Sequence, residues 1–448
     1  MKTRRLDEAT TLDEARRVLL ERNDPIDEGL RLEVPLIRGP APLAWLASQP
    51  PGDRTYWCDR NGDLEVAGVG AALDIAGGLK TALAQCQPSA PGWRWVGAEA
   101  FDPEQECSTE WRSFGSGRFR IPTVTWERTG TQLLLCLHLL PGGAGKRTSE
   151  VRTWGRARAE LAALCIPHAP TPHPAPSVVR PPQHSPDVSE WANLFAEAHT
   201  ALTGGALNKV VCARRSELEF SETVDPFALL LDLADSQPGT FRFGIEQRPG
   251  HAFIGCTPEL LFRREGDQVA TEALAGTRRR GDSEAQDKAL ATDLVNDEKD
   301  RREHDWVVRG LASALAPYAD LGPTRAPTVL QLPQVQHLRT PIAGTLSRGS
   351  DAELLGALHP SPAVCGEPVA PAREFIREKE AFRRGWYAGP VGTVSASGAC
   401  IAVAIRSALV VGKRLHVYAG AGWVEGSEAD REWREVEAKS RTVLGLIS

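Results

Sequence analysis

The amino-acid sequence predicts an α+β fold in which large antiparallel sheets form the core and helices pack outside. The first observation behind this prediction is the order of the elements, because strand-like runs follow one another directly and helices are inserted between some of them. A doubly wound parallel fold would need a regular alternation of strands and helices. The second observation is the composition: of 448 residues, 42% are apolar and 25% are charged. These proportions are typical of a globular protein with a sizeable core.

Residues 31–140 have mainly the composition of strands separated by glycine-rich turns. Residues 64–69 and 131–140 are the clearest of these runs, and Asn61-Gly62 is a typical tight-turn dipeptide. The flanks of this region favour helices, one of which has an acidic first turn at Asp13 and Glu14. Helices are therefore predicted over residues 11–21 and 149–165.

A proline-rich stretch at residues 167–186 interrupts the periodic patterns and predicts an extended connector. Its histidines are expected to be solvated linker side chains, with metal binding as the less common alternative. After this stretch, helices and strands are mixed. Helices are predicted over residues 187–202, 226–236, within 283–317 and over 427–446. Strands are predicted over residues 209–214, 241–246 and 252–256, and residues 399–411 and 414–419 are predicted to form a hairpin.

Charge and cysteine usage exclude several classes of function. The net charge of −6 comes without a basic stripe, so a nucleic-acid partner is not expected. No apolar run is long enough for a membrane span, and residues 1–10 lack the apolar stretch of a secretory signal. The nine cysteines are scattered and form no CxxC pair, which is typical of reduced thiols in a cytoplasmic protein. A zinc site is not expected either.

Two pairs of acidic residues are spaced so that both carboxylates of a pair could take part in binding a metal ion. Asp300 and Glu303 are three residues apart on one predicted helix, as are Glu432 and Glu435 on another, so each pair lies on one helix face. Two such faces together would form an oxygen-rich site suited to Mg²⁺. Solvated helix faces carry the same pattern, and this alternative stays open.

Lys209 and Glu259 are the candidate acid–base residues. Lys209 begins an apolar strand, where its ammonium group could extend to solvent or lie desolvated in a pocket as a base. Glu259 follows Pro258 at the end of another apolar strand. It could be an exposed turn acid or a partly buried general acid. The glycine-rich runs at residues 275–277, 388–390 and 419–422 could bind a carboxylate through their N–H groups, and Arg406 could clamp one.

In order along the chain, these motifs resemble the chorismate-utilising enzymes, and most closely the isochorismate synthases within that family. The resemblance covers about 230 residues. It rests on Lys209-Val210-Val211, Thr257-Pro258-Glu259, Glu272-Ala273-Leu274-Ala275-Gly276-Thr277, Glu298-Lys299-Asp300-Arg301-Arg302-Glu303-His304, Val335-Gln336-His337-Leu338, Leu358-His359-Pro360-Ser361-Pro362-Ala363-Val364, Arg384-Gly385-Trp386-Tyr387-Ala388-Gly389-Pro390, Ile405-Arg406-Ser407, Tyr418-Ala419-Gly420-Ala421-Gly422 and Glu432-Trp433-Arg434-Glu435-Val436-Glu437-Ala438-Lys439.

The resemblance implies one chorismate-binding domain over residues 1–448, with a variable N-terminal half (1–166), the proline-rich segment (167–186) as an internal loop, and a motif-bearing half (187–448). It implies that Lys209 activates water and that Glu259 protonates the leaving hydroxyl. Mg²⁺ would be bound by Glu303 and Glu435 directly and by Asp300 and Glu432 through water. The substrate-binding residues implied are Arg406, Tyr387, Gly420, Gly422, His337, Thr277 and Ser361.

Departures from the usual family pattern are Thr257, Asp297, Cys365 and Trp423, and the last two are expected to affect the pocket. Salicylate synthase, which eliminates pyruvate afterwards, is the alternative activity. The ammonia-using relatives fit less well because they typically lack a lysine at position 209, and no glutamine amidotransferase partner is expected. A non-catalytic chorismate binder is a further alternative. The product could serve menaquinone or siderophore synthesis.

Overall fold

The computed structural model describes residues 1–141, 154–166, 176–333 and 335–447. Within these residues the strands are β1 Lys2–Arg5, β2 Leu30–Leu36, β3 Arg54–Cys58, β4 Leu64–Val69, β5 Leu73–Ala76, β6 Arg94–Glu99, β7 Gly117–Ile121, β8 Val124–Thr129, β9 Gln132–Leu139, β10 Val178–Ser185, β11 Lys209–Phe220, β12 Phe241–Arg248, β13 His251–Thr257, β14 Leu260–Glu265, β15 Gln268–Arg279, β16 Ala319–Leu321, β17 Thr328–Gln331, β18 Val335–Leu346, β19 Gly366–Glu367, β20 Pro390–Ser395, β21 Gly398–Val403, β22 Ser407–Val411 and β23 Arg414–Val424.

The helices are α1 Leu12–Leu20, α2 Pro42–Ala47, α3 Leu79–Gln85, α4 Trp154–Ala163, α5 Val188–Thr203, α6 Pro226–Ser236, α7 Glu284–Asn296, α8 Glu298–Leu315, α9 Asp351–Leu358, α10 Val369–Lys379 and α11 Ala429–Leu444. Side-chain caps fix several of the predicted starts. Asp187 and Glu190 form a capping box at α5, and Thr11 caps α1. None of the helices in the described ranges is long and apolar enough to cross a membrane.

The strands form two large sheets, as the α+β prediction requires. The first sheet has the order β1-β2-β9-β8-β4-β3-β12-β13-β22-β23-β11-β10, with β19 also paired to β11. The second has the order β16-β18-β15-β14-β21-β20-β6-β7-β5, with β17 also paired to β18. Pairing is antiparallel except between β1 and β2. The predicted antiparallel core is therefore confirmed.

Both sheets contain strands from both halves of the chain. The halves meet through hydrogen-bonded ladders, where β3 pairs with β12 in the first sheet and β6 pairs with β20 in the second. Separating the halves would break two ladders and expose buried strand edges. The described residues of the two halves therefore share both sheets, and the single domain over residues 1–448 stays a prediction.

The first sheet buries both faces of its central strands, whereas the edge strand β10 is largely exposed. In β13 the side chain of Phe253 packs in the apolar core shared with the second sheet, whereas Ala252 and Ile254 pack in the core beneath the outer helices. This alternation follows from the period of two residues along a strand. The sheet is thus a rigid central layer that positions the residues at its ends.

Three predicted elements differ from the structure. The extended connector at 167–186 is wrong over its second part, because Val178–Ser185 forms β10 and pairs with β11; residues 167–175 lie outside the described residues. The helical region at 283–317 is two helices, separated by the extended backbone of Asp297, which caps α8. Residues 399–411 are not one strand: β21 and β22 belong to different sheets and are separated by Arg406 at φ 50°.

Candidate active site

Residues from both sheets line a cleft at the end of the molecule where β11 begins. Its empty volume is about 670 Å³, including the part open to solvent, and this size is typical of small-molecule sites. The walls are formed by β11, β15, β18, β23, α8, α11 and the turns around Glu259, Val364, Tyr387 and Arg406. Most of the residues that the sequence motifs singled out lie in or directly behind these walls.

Lys209 is fully buried, so its side chain does not extend to solvent. As the first residue of β11, it pairs in register with Val424 of β23. Its Nζ atom lies 3.1 Å from Glu303 Oε1, and Glu303 lines the cleft. Lys209 itself lies directly behind Glu303. The lysine is therefore an internal cation that can reach the cleft only when its ion pair with Glu303 opens.

Glu259 lies in the turn between β13 and β14 and lines the cleft with 6% of its surface exposed. The turn is held on β21, since the Thr257 hydroxyl donates to the Val403 carbonyl over 2.7 Å and the Val403 N–H donates to the Glu259 carbonyl over 3.0 Å. Burial raises the pKa of Glu259 to about 7, although the cations of Lys209 and Lys439 lower it. A carboxyl with this pKa carries a proton near neutral pH and can act as a general acid.

The acidic faces of α8 and α11 come together beside the cleft. Lys299 Nζ lies 2.5 Å from Glu432 Oε1, and Lys439 Nζ lies 2.7 Å from Glu435 Oε1. Burial and repulsion from Glu435 and Glu303 raise the pKa of Glu432 to about 7. The three glutamates therefore share one electrostatic environment, and each of them has a lysine partner. The alternative of two solvated helix faces is not what the structure shows.

Asp300 lies three residues before Glu303 on α8 and has different partners. Arg278 donates to its carboxylate, and Arg431 Nη2 lies 3.7 Å from Asp300 Oδ2. Burial, together with repulsion from Glu303 and Asp297, raises the pKa of Asp300 to about 6. The Asp300 carboxylate therefore pairs mainly with arginines, and its interaction with Glu303 is repulsive.

The donor set can be compared with what a divalent cation needs. In the described residues, no three His, Cys, Asp or Glu side chains converge tightly enough to hold a metal ion as they stand. The chemistry of the set nevertheless fits Mg²⁺: Glu303, Glu432 and Glu435 are hard oxygen donors that repel one another. Glu432 Oε2 is buried without a hydrogen-bond partner. The residues fit the cation once the lysine ion pairs open.

Another wall of the cleft has the features of an anion site. Arg406 is buried, and its Nη1 atom donates to Thr442 Oγ1 over 3.2 Å. Burial lowers the pKa of Arg406 to about 10, so the guanidinium stays charged at neutral pH. Burial and the Arg406 cation lower the pKa of His337 to about 3, so His337 is neutral. Its Nδ1 then donates to the Gly276 carbonyl, and its Nε2 faces Arg406 as an acceptor.

The remaining predicted binding residues separate into two groups. Thr277, Tyr387, Gly420 and Gly422 line the cleft, as Arg406 and His337 do. Ser361 is buried and is not among the residues that line the cleft, whereas its neighbours Ala363 and Val364 are. Its role in binding stays a prediction. The expected effect of Cys365 and Trp423 on the pocket is not direct, since both are fully buried and neither lines the cleft.

Lys439 is the main functional candidate that sequence reasoning missed. It lines the cleft, and its ammonium group donates to the Gly420 carbonyl over 3.0 Å as well as to Glu435. The signal was available, because Lys439 stands four residues after Glu435 on the same helix face. Together with Arg406 it gives the cleft a second cation for an anionic ligand.

Comparison with known proteins identifies the class. The family model for chorismate binding enzymes matches residues 30–448. The chain belongs to this family, because the match covers most of its length.

Individual relatives are more specific. The isochorismate synthase MenF of Escherichia coli is 33% identical over 411 residues, which cover 90% of each chain. The solved structure of the menaquinone-specific isochorismate synthase MenF from the same organism superimposes with a TM-score of 0.86, at 32% identity, over 98% of this chain and 100% of that one. A salicylate biosynthesis isochorismate synthase of Pseudomonas aeruginosa is 32% identical over 81% of this chain and 75% of its own length.

Proposed function

We propose that this protein is a Mg²⁺-dependent isochorismate synthase, an isomerase that converts chorismate to isochorismate by adding water at C2 and expelling the C4 hydroxyl. The observation that carries the proposal is geometric: the buried Glu259 carboxyl, whose pKa is raised to about 7, lines the cleft, and the buried Lys209 lies behind the lining residue Glu303. The names of its relatives support the substrate and the reaction.

Lys209 and Glu259 supply the two proton transfers. Water is a poor nucleophile, so Lys209, once its ammonium group has passed a proton to solvent, takes a proton from the water whose oxygen bonds to C2. Hydroxide is a poor leaving group, so Glu259 gives its proton to the C4 oxygen, which departs as water while the ring double bonds shift. One water enters and one leaves, and no oxidant is needed. For Lys209 to act, its ion pair with Glu303 has to open.

The two carboxylates of chorismate require two cationic regions. Arg406 and Lys439, with the Tyr387 hydroxyl and the backbone of Gly420 and Gly422, form the region that would hold the enolpyruvyl carboxylate. His337 and Thr277 would contact the ring. Mg²⁺, held by Glu303 and Glu435 with Asp300 and Glu432 through water, would neutralise the ring carboxylate when it is bound. Mutual repulsion among these acids supports their assignment to the cation.

The acid role of Glu259 predicts the alkaline limb of the pH–rate profile. The pKa of this carboxyl is raised to about 7, so the protonated form is present below that pH and is lost as pH rises through it. We expect kcat/KM for chorismate to fall about tenfold per pH unit well above pH 7. Initial rates between pH 6 and 9 at saturating Mg²⁺ measure this. Glu259→Gln should remove the activity together with the limb. A wild-type profile that stays flat to pH 9 would contradict the role.

Gly422 is predicted to be indispensable for steric reasons. A Cβ atom at this position would contact the Glu303 carboxylate and lie 2.9 Å from Lys209 Cε. Gly422→Ala is therefore expected to displace both side chains and to lower kcat/KM about 10- to 100-fold. Gly356→Ala is the control, because nothing lies within 4 Å of an added Cβ there. Equal activity of the two variants, at similar thermal unfolding midpoints, would refute the steric argument.

Salicylate synthase is the second candidate, because it uses the same acid, base and ligands. The two activities differ in pyruvate release. Purified protein is incubated with chorismate and Mg²⁺, the products are separated by chromatography, and pyruvate is measured with lactate dehydrogenase and NADH. We expect isochorismate without stoichiometric pyruvate. Pyruvate appearing at the rate of chorismate loss, with salicylate, would replace the proposal by the second candidate.

The cysteines and the names of the relatives bear on where in the cell the reaction takes place and which pathway it serves. We propose a cytoplasmic enzyme, which is supported by nine free cysteines, all of them in the described residues. Ammonia is not a reactant in the proposed chemistry, so no glutamine amidotransferase partner is proposed. The relatives' names include both a menaquinone-specific enzyme and one of salicylate biosynthesis, and isochorismate is the product proposed in either setting.

A further inference from the structure

Arg60 links the N-terminal half of the chain to the turn that carries Glu259. It lies in the hairpin turn between β3 and β4, which Asp59 stabilises by accepting a 2.8 Å hydrogen bond from the Asp63 N–H. The guanidinium leaves this turn and packs over the ring of Phe241 at 4.8 Å. Its side chain is only 16% exposed. This burial indicates an internal role rather than a solvated surface charge.

Two acceptors hold the Arg60 guanidinium. One Nη atom donates to both the Pro258 carbonyl and Glu272, and the other donates to Glu272 Oε2 over 3.2 Å. In the part of the chain that the structure describes, Arg60 is the donor to the buried Pro258 carbonyl. Without it, that carbonyl would lose its hydrogen bond in a buried setting.

The Pro258 carbonyl belongs to the peptide unit that leads into Glu259. Because a peptide unit is planar, fixing its carbonyl oxygen also fixes the direction of the Glu259 N–H and restricts the Glu259 Cα–Cβ bond. The far side of Glu259 is already held by Val403. The Glu259 N–H of this peptide unit donates to Thr257 Oγ1 over 3.3 Å. Arg60 adds an anchor to its carbonyl side, and this anchor comes from outside the motif-bearing half.

Glu272 extends the link into the wall of the cleft. Its second oxygen accepts a 2.6 Å hydrogen bond from Arg339 Nε, so the buried carboxylate lies between two arginines. Glu272 is on β15, two residues before the lining residue Leu274. The Arg60 guanidinium therefore holds both the turn that carries Glu259 and strand β15, which forms part of the cleft wall.

We propose that Arg60 is a positioning residue for the acid Glu259: by binding the Pro258 carbonyl and Glu272 together, it sets the orientation of the carboxyl relative to the substrate. The inference rests on the proposed function, because Glu259 is the acid only in that reaction. A mispositioned acid slows the chemical step, whereas the carboxylate-binding residues Arg406 and Lys439 are untouched.

The test compares Arg60→Met and Arg60→Lys with a matched control, Arg128→Met. Arg128 belongs to the same half and likewise holds a buried carboxylate, donating to Glu65 Oε2 over 3.1 and 2.6 Å, but its acceptor lies on β4 and not on the turn or the strand next to the cleft. Initial rates of chorismate consumption give kcat and KM, and thermal unfolding gives the stability of each variant. If Arg60→Met does not fold, Arg60→Gln takes its place with the same expectations.

We expect Arg60→Met to lower kcat about 10- to 100-fold with KM within about twofold of wild type. Arg60→Lys should recover part of the loss, since its ammonium group can reach one of the two acceptors. Arg128→Met should keep kcat within about twofold even if it unfolds at a lower temperature. Two results would overturn the inference alone, provided that the wild-type protein turns over chorismate. One is an unchanged kcat in Arg60→Met, and the other is an equal loss of kcat in Arg128→Met. A wild-type protein that consumes no chorismate would overturn the proposed function and the inference with it.

Discussion

Lys209→Met is expected to reduce the conversion of chorismate about 10³-fold or more, the range for loss of a general base. Methionine fills a similar volume, so the start of β11 keeps its packing, but no amine remains to take the proton from water. The change also leaves Glu303 without its cation. Mg²⁺ supplied at saturation should restore the charge balance but not the rate. Turnover is measured as kcat, and chorismate binding is measured by calorimetry in parallel.

The matched control for this substitution is Lys413→Met. Lys413 is an exposed lysine whose ammonium group donates to the Ser221 carbonyl outside the cleft. Its kcat should equal that of the wild type. Binding without turnover in Lys209→Met identifies the lysine as part of the chemistry. If Lys209→Met instead keeps kcat within tenfold of the wild type while remaining folded, another group provides the base and the acid–base assignment fails.

Glu435→Gln is expected to produce the second large effect, on the metal. Replacing one carboxylate oxygen by the amide nitrogen removes a charge and a hard ligand. Even the loss of a residue that only supports the ligands lowers metal affinity about 10- to 100-fold. We therefore expect the Mg²⁺ dissociation constant to rise at least about 100-fold. Lys439, which loses its 2.7 Å partner, should not compensate. Calorimetric titration with Mg²⁺ in the absence of substrate measures this directly.

Glu437→Gln is the control on the same helix. Glu437 lies two residues from Glu435 but pairs with Arg214 at 2.6 Å, so its loss should leave the Mg²⁺ affinity unchanged. Glu303→Gln should behave like Glu435→Gln. An unaltered Mg²⁺ affinity in both cleft variants would show that the cation binds elsewhere, and the assignment of the carboxylates would have to be withdrawn.

Much of the fold was predictable from local sequence, and most residues of the candidate site were predicted from the order of the motifs that resemble the family. The position of Lys209 at the start of a strand, and of Glu259 after a proline that ends one, fixed their places at strand ends before any tertiary contact was known. The i, i+3 spacing likewise placed Glu432 and Glu435 on one helix face. These features depend on short-range geometry, which sequence patterns record well.

Features that depend on tertiary pairing were not predictable. The break between β21 and β22 occurs because Arg406 takes a left-handed conformation to face the cleft, and no glycine marks that site. Except for Lys439 with Glu435, the lysine partners of the three glutamates and the contact of Arg60 with Pro258 join residues more than 90 positions apart. Composition and spacing contain no record of such contacts.

The central claim is best tested by a proton-NMR time course of the purified protein with chorismate and Mg²⁺, with and without EDTA. We expect isochorismate to accumulate to a fixed chorismate–isochorismate ratio, the same ratio to be reached from isochorismate, and EDTA to stop both reactions. A chorismate spectrum that stays unchanged in the presence of Mg²⁺ would contradict this claim.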